Sequence, residues 1–358
     1  MQGLLVEFVL KEWLLVFSGA GFILTSIFTG TLPSYSAEEF QVLFILCTLF
    51  LAVKGLEGCG LITRFSLALE RGRAIPLKLV AGTFFLSMVV TNDVALILVV
   101  PLTLMLSIDR KGVLVILEAL SANAGSALTP FGNPQNLFIY WFYDLHPLEF
   151  IASIAPFSLF FLILLGAVSF AVKVRSTGVP VSSAKLVLSK ACIYGMLLLI
   201  VLLTVLHVLP VMAGWLVVAY VLLFDRKTLR IDYALLFSFF FFFGLANNMK
   251  ILLASELANP GHVFLFSALA SQVMSNVPAA LLFAKFTSNW DALLWGTNVG
   301  GFGSLFGSLA NLIAYKLYIA DENTSDGLKF TFRFLAMGYA AFFLSTGLYV
   351  ALRGSSWG

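Results

Sequence analysis

An aspartate interrupts a long apolar stretch. Residues 76–107 are apolar for about 32 positions, broken at the centre by Thr91-Asn92-Asp93. An ionisable side chain at the depth of a bilayer core is costly, and where one occurs it marks an ion or substrate path. Asp93 is therefore a candidate carrier of a proton or ligand of a cation, the simpler alternative being a cap on the half-helix that follows it. A second stretch, 261–286, has the same plan with Ser275-Asn276-Val277-Pro278 at its centre, so Val277 stands where the first has Asp93. Each arm of the first stretch is about 14 residues, or roughly 21 Å of helix. That is too short for a hydrocarbon layer of about 30 Å. Two short arms around a polar tip read as a re-entrant hairpin. The tips would present the amides of Asn92 and Asn276 and the hydroxyls of Thr91 and Ser275.

Each hairpin is followed by a segment that starts and ends apolar but is broken inside. Residues 113–145 contain SANAGSALTPFGNPQN (121–136), and residues 291–318 contain GTNVGGFGSLFGSLAN (296–311). Gly, Pro, Asn and Ser at that density stop a helix in mid-membrane, which is tolerated only where the backbone is buried in protein or lines a wet cavity. Half-helix N-termini attract anions, and unwound carbonyls with Asn, Ser and Thr oxygens attract Na⁺. Tips and breaks facing one another give one substrate site flanked by two candidate cation sites. The substrate set is Thr91, Asn92, Asp93, Asn133, Gln135, Asn136, Ser275, Asn276, Ser308 and Asn311. The cation set is Asp93, Asn123, Ser126, Thr129, Thr297, Asn298 and Ser304.

The elements that position these residues are membrane helices. Of 358 residues, 60% are hydrophobic and only 11% charged, against about half and a quarter in soluble chains. No long polar stretch could fold as a soluble domain, which excludes a soluble enzyme, a nucleic-acid binder and a disordered protein. Spans are expected near 12–30, 40–62, 148–173, 187–209, 230–250 and 330–352, with a shorter one at 211–225. With the broken helices that makes about nine spans and two hairpins. Cys47, Cys59 and Cys192 show no CxxC spacing, and His146, His207 and His262 are scattered, so no disulfide framework or zinc site is implied. Glu7 and Glu12 with no basic n-region argue against a cleavable signal. Lys54 and Glu57 are placed to pair on one helix, Lys250 and Lys316 to reach the interface. Glu118, just before the first break, is a further candidate for proton transfer, and the Phe run 239–243 is packing or lipid-facing surface.

The two halves repeat. Asn123 pairs with Asn298, Gly125 with Gly300, Thr129 with Ser304, Phe131 with Phe306, Gly132 with Gly307 and Asn136 with Asn311, each 175 residues apart. The tips are matched at 184 residues, Thr91-Asn92 to Ser275-Asn276, and Gly55-Leu56 lies upstream as Gly244-Leu245 does. The expected organisation is an N-terminal repeat, 1–185, and a C-terminal inverted one, 186–358. Charge bias gives the orientation. With a cytoplasmic N-terminus, Arg64, Arg71, Arg73, Lys78, Arg110, Lys111, Arg175, Lys185, Lys190, Arg226, Lys227 and Arg230 all fall inside. Loop 31–39, with Glu38 and Glu39, and the 251–260 stretch fall outside, so the hairpins open to opposite faces. Lys285 near the outer end of the second hairpin, and the acidic loop 321–326 placed inside, fit this scheme least well.

With these residues in view the chain resembles the ion transporter superfamily, in its branch of arsenite permeases, citrate-transporter-like proteins and NhaD-type sodium/proton antiporters. The resemblance covers about residues 38–350. It is carried by TNDVALILVVPLT (91–103), GSALTPFGNPQN (125–136), SNVPA (275–279) and NVGGFGSLFGSLAN (298–311). Asn92-Asp93, Asn276-x-Pro278 and Gly307-Ser308-Leu309-Ala310 look like the arsenite permeases. The dicarboxylate branch has Ser-Asn-Thr at both tips, of which the Asn and a hydroxyl are kept here; the NhaD-type Gly-Asp-Pro-Pro-Asn reads Gly132-Asn133-Pro134-Gln135-Asn136. The resemblance implies a scaffold with a moving transport domain, often homodimeric, working by an elevator motion.

The expected protein is an all-α polytopic protein of the plasma (inner) membrane, with no enzymatic role, no nucleic-acid partner and no cofactor beyond Na⁺ as a candidate coupling ion. The expected function is secondary active transport of a small anion or oxyacid, arsenite- or carboxylate-type, coupled to H⁺ or Na⁺. The alternative is a Na⁺/H⁺ antiporter with Asp93 as carrier. A channel fits tips opening to opposite faces less well than alternating access does. An intramembrane enzyme would need a metal cluster, a Ser/Lys or Asp/Asp pair or a nucleotide loop, and the sequence offers none.

Overall fold

The computed structural model of the chain describes residues 12–30, 32–60, 64, 74–105, 107–108, 110–172, 174–176, 187–253, 260–321 and 326–354. Glu7, Arg71, Arg73, Lys185, most of the 251–260 stretch and positions 322–325 of the acidic loop lie outside the described residues. The fold is helical. In chain order α1 is Trp13–Thr29, α2 Ala37–Gly58, α3 Ile75–Val90, α4 Asn92–Met105, α5 Lys111–Ala127, α6 Pro134–Phe142, α7 Pro147–Ser169 and α8 Leu188–Val205. Then follow α9, Trp215–Phe224, α10, Tyr233–Leu253, α11, Pro260–Met274, and α12, Asn276–Ala284. The last three are α13, Trp290–Gly300, α14, Leu309–Ala320, and α15, Gly327–Arg353. Among the described residues α2, α7, α8 and α15 are each long and apolar enough to cross a bilayer.

Local chemistry sets the ends. Helix α2 starts at Ala37 rather than near residue 40 because Ser36 and Glu39 form a capping box: the Glu39 backbone N–H donates to the Ser36 hydroxyl, and the Ser36 N–H to Glu39 Oε2 at 2.8 Å. Prolines open α3, α6 and α7, where a missing N–H has no helical partner to lose. The expected short span at 211–225 is a 3₁₀ turn, Val211–Gly214, running into α9. One pairing departs from the all-α expectation: Ser107–Ile108 and Val174–Ser176 form a two-stranded antiparallel ladder. It joins the stretch after α4 to the stretch after α7, where two backbones run side by side and satisfy each other.

Polar contacts sort the loops into two ends of the bundle. At one end are this ladder, the Val187 N–H bonded to Cys59 O, and Lys190 paired with Asp225 at 2.9 Å. Arg110, Lys111, Arg226, Lys227 and Arg230 lie at this end too. At the other, the Tyr143 hydroxyl donates to Thr287 O, His207 lies 3.5 Å from Asp144, and Arg353 pairs with Asp291 at 3.0 Å. Lys285 belongs to this second end and pairs with Glu39 at 2.7 Å, with side chains only 11% and 2% exposed. The cation that fits the charge bias least well is thus neutralised in place, and it also stands over the Phe142 ring.

Helices α3 and α4 turn back on each other at Thr91, and α11 and α12 at Ser275. Helix α5 crosses α3 at Gly125, where a Cβ would lie 2.2 Å from Phe84 O. Helix α13 crosses α11 at Gly300, where a Cβ would lie 2.4 Å from Ser271 Cβ. Only glycine allows either approach. Aromatic side chains fill the space behind: Trp295, Phe157, Phe302 and Tyr349 form one packed cluster.

Candidate functional site

The interrupted segments meet. Thr91 and Ser275 hold positive φ, 85° and 74°, a conformation that ordinarily belongs to glycine. The same bond accompanies each: Asn92 N–H donates to Gly132 O at 3.1 Å, and Asn276 N–H to Gly307 O at 2.9 Å. Each tip is thereby tied to the break that follows it. The first break is fixed further by the Thr129 hydroxyl on Met88 O, the second by Gln272. Gln272 accepts from the Ser304 N–H and donates to Gly300 O and Phe302 O, while the Ser304 hydroxyl donates to Gln272 O. Sequence reasoning did not single out Gln272, because a glutamine three positions before a tip carries no signal of its own.

Behind the tips lies a lattice of buried amides. Asn123 donates to Asn311 Oδ1 at 2.9 Å and accepts from Asn92 at 3.2 Å. Asn298 donates to Asn136 Oδ1 at 2.9 Å. Asn136 donates to Ser126 O and Ala127 O, and Asn311 to Gly301 O and Ser304 O. These are the carbonyls orphaned where the helices stop, so the amides replace the lost helical bonds. Each half lends one Asn to the other. Ser126 accepts from Asn133 Nδ2 at 3.2 Å, and the Thr297 hydroxyl turns back to Leu293 O on its own helix.

In front of the lattice is a small cavity of about 20 Å³, lined by Asn92, Asp93, Asn133, Gln135, Ser275, Asn276 and Ser308. These are the first residues or caps of α4, α6, α12 and α14. Four helix N-termini therefore converge on one point, each with the equivalent of about half a positive charge. Asn133 caps α6 through the Asn136 N–H, and Ser308 caps α14 through the Ala310 N–H. Gln135 is 1% exposed, yet neither atom of its amide has a hydrogen-bond partner. Buried amides are rarely left so. Asp93 Oδ1 is likewise buried and unbonded.

A second cavity, about 190 Å³, adjoins the first through Asp93, Leu235 and Leu309. Its wall includes Thr91, Lys54, Glu57, Arg230 and Asp232. Lys54 and Glu57 pair at 2.8 Å as their spacing suggests. Arg230 and Asp232 stand just before α10; sequence reasoning placed both at the start of the 230–250 span and used Arg230 only for the charge bias. Glu118 stands apart from both cavities, fully buried, with the Thr103 hydroxyl donating to Oε1 and Oε2 unbonded.

Residues 13–295 match a family model described as citrate transporter, CitMHS. The chain is 31% identical over 339 residues to the uncharacterized transporter MJ0456 of Methanocaldococcus jannaschii, spanning 89% of this chain and 90% of that protein. It is 37% identical over 316 residues to the inner membrane protein YbiR of Escherichia coli, spanning 79% and 81%. Apolar helices of spanning length, interrupted segments that meet at one buried polar point and these matches agree: the chain is an integral membrane transporter and belongs to the citrate transporter family of the ion transporter superfamily.

Proposed function

We propose that the protein is a secondary active transporter of a small anion or oxyacid, coupled to H⁺ or Na⁺. The observation that carries this reading is the convergence of four helix N-termini on the cavity of Asn92, Gln135, Asn276 and Ser308. Anions are favoured at such ends by the helix dipole. The unpartnered Gln135 amide offers both a donor and an acceptor there. The family's description adds citrate to the candidate substrates, beside arsenite-type oxyacids. Asp93, acidic among these positive ends, is the natural holder of the coupling proton or Na⁺.

The matched bonds at the two tips and the reciprocal Asn pairs support two inverted repeats, 1–185 and 186–358, built around one site. Lys and Arg gathered at one end of the bundle support a cytoplasmic N-terminus. In the elevator and homodimer reading, tips and breaks move together against the other helices. About 20 Å³ between the tips has room for a water or an ion, so substrate loading requires the tips to part.

The test is a thermal-shift screen of purified protein with arsenite, citrate, succinate, phosphate and sulfate, with and without Na⁺, from pH 5 to 8. Stabilisation by one anion, strengthened by Na⁺ or acid, is the expected result. The unbonded Asp93 oxygen favours a second reading, Na⁺/H⁺ antiport. Stabilisation by Na⁺ or pH with no response to any anion would establish that reading in place of the first.

A further inference from the structure

Among the described residues the larger cavity reaches the tips from one end. It shares Asp93 with the tip cavity and extends to Arg230 and Lys54 at the end that gathers the cations. At the other end the route is shut. There the buried Lys285–Glu39 pair joins α12 to α2, and Tyr143 bonds Ala284 O and Thr287 O across from α6.

The charges on the cavity wall are not equivalent. Lys54 is neutralised by Glu57 at 2.8 Å. Asp232 caps α10, its Oδ1 accepting the Leu235 N–H at 2.9 Å. Asp93 is the floor. Arg230 is exposed, and among the described residues no side chain or carbonyl bonds its guanidinium. A planar five-donor cation held at a cavity mouth with its donors free suits a carboxylate or oxyanion. Among the described residues the polar side chains of the tip cavity are amides, hydroxyls and one carboxyl, with no cation. A substrate with a second anionic group therefore has one unpaired cation to turn to.

We propose that the 190 Å³ cavity is the open mouth of the transport site in this conformation, and that Arg230 is a second anion subsite in it, receiving the incoming anion and holding the distal anionic group of a di- or tricarboxylate. The proposal rests on the transport reading for its substrate, but its electrostatic part is testable without transport.

The test uses the full chain with Cys47, Cys59 and Cys192 replaced and one cysteine introduced on the cavity wall, Ile313→Cys. Reaction rates are measured with an anionic (ethylsulfonate) and a cationic (ethyltrimethylammonium) methanethiosulfonate. The wall sets Lys54 and Arg230 against Glu57, Asp93 and Asp232, so the reading is the change in the ratio when Arg230 is replaced, not its absolute value. Removing one unit charge at this range shifts the anionic-to-cationic rate ratio by roughly tenfold at low salt. Arg230→Gln should produce that fall and Arg230→Lys should not, while a control cysteine at the far end, Leu148→Cys, should respond to neither. No labelling of Ile313→Cys, or a ratio blind to Arg230→Gln, overturns the proposal even if transport is intact. In the uptake assay, Arg230→Gln should raise KM for a dicarboxylate about tenfold and that for a monocarboxylate by no more than about threefold, the share that attraction in the mouth accounts for. An equal rise for both overturns the distal-group assignment. A charge-dependent ratio in a protein that no anion stabilises would refute the anion-transport reading alone and leave Arg230 as the receiver of anions in the mouth.

Discussion

The bond between Asn298 and Asn136 can be weighed by a double-mutant cycle. Both residues are buried, 3% and 0% exposed, and the bond is 2.9 Å long. Asn298→Ala strands Asn136 Oδ1 in the interior, at about 1–3 kcal/mol. Asn136→Ala leaves the carbonyls of Ser126 and Ala127 without their side-chain donor and costs about 3 kcal/mol by the same reasoning. In the double variant the Oδ1 penalty is not counted twice, so the effects fall short of additive. Polar pairs between membrane helices average about 0.6 kcal/mol and reach about 1.7; with both partners fully buried the coupling expected is about 1 kcal/mol. Reversible SDS unfolding in mixed micelles measures it, and the buried Trp295 on α13, the helix that carries Asn298, reports by fluorescence. The cycle of Asn123→Ala with Asn311→Ala should give the same sign and size, because that bond is also 2.9 Å. Coupling below about 0.3 kcal/mol in both cycles, within ordinary additivity error, would refute the argument that the two breaks are locked to each other.

Asp93→Asn should leave expression and melting temperature close to wild type while abolishing or uncoupling transport; coupled transport at the normal rate removes Asp93 from the mechanism. Gly125→Ala and Gly300→Ala should each destabilise by about 1–3 kcal/mol, since the new Cβ would meet Phe84 O at 2.2 Å or Ser271 Cβ at 2.4 Å. Gly195→Ala, which meets nothing within 4 Å, should be neutral or slightly stabilising in the same thermal assay. Lys285→Met leaves Glu39 buried without its partner and should cost about 3–5 kcal/mol, most of it recovered by adding Glu39→Gln, which keeps the helix cap. At the cation-rich end, the hydrogen bond from Lys190 holds the Asp225 carboxyl below the usual carboxylate range. Its contribution is therefore present above about pH 4 and lost as pH falls through the lowered value. Lys190 is half exposed, so Lys190→Met should remove well under 1 kcal/mol at neutral pH and flatten the acid side of the stability profile.

The tips were legible because Thr91-Asn92-Asp93 and Ser275-Asn276 are polar at the centre of stretches too short to span as two helices and too long to be one. The breaks were legible from glycine, proline and asparagine density. Pairing was not. That Asn123 meets Asn311 and Asn136 meets Asn298 depends on how the halves pack, and two asparagines far apart in sequence carry no mark of partnership. Lys285 illustrates the same limit: in sequence it departs from the charge bias, and in space Glu39 neutralises it. Thr129, Ser304 and Thr297 were grouped with cation ligands by type; in the fold their hydroxyls donate to Met88 O, Gln272 O and Leu293 O, which occupies their protons and not their lone pairs. A hydroxyl's target is set by the neighbouring turn, which composition does not reveal.

Among the residues that line the tip cavity, Asp93 alone carries a formal charge. Among formal charges at those tips, an electric field across the bilayer acts through that carboxylate and whatever it holds. Moving one elementary charge through 100 mV is worth about 2.3 kcal/mol, enough to bias an equilibrium some fiftyfold. With its proton or a Na⁺ in place the empty tips carry no net formal charge, and ionised they carry one that voltage acts on. In the elevator reading proposed above, currents across a reconstituted membrane would count how often Asp93 crosses charged, a quantity that substrate flux alone leaves hidden.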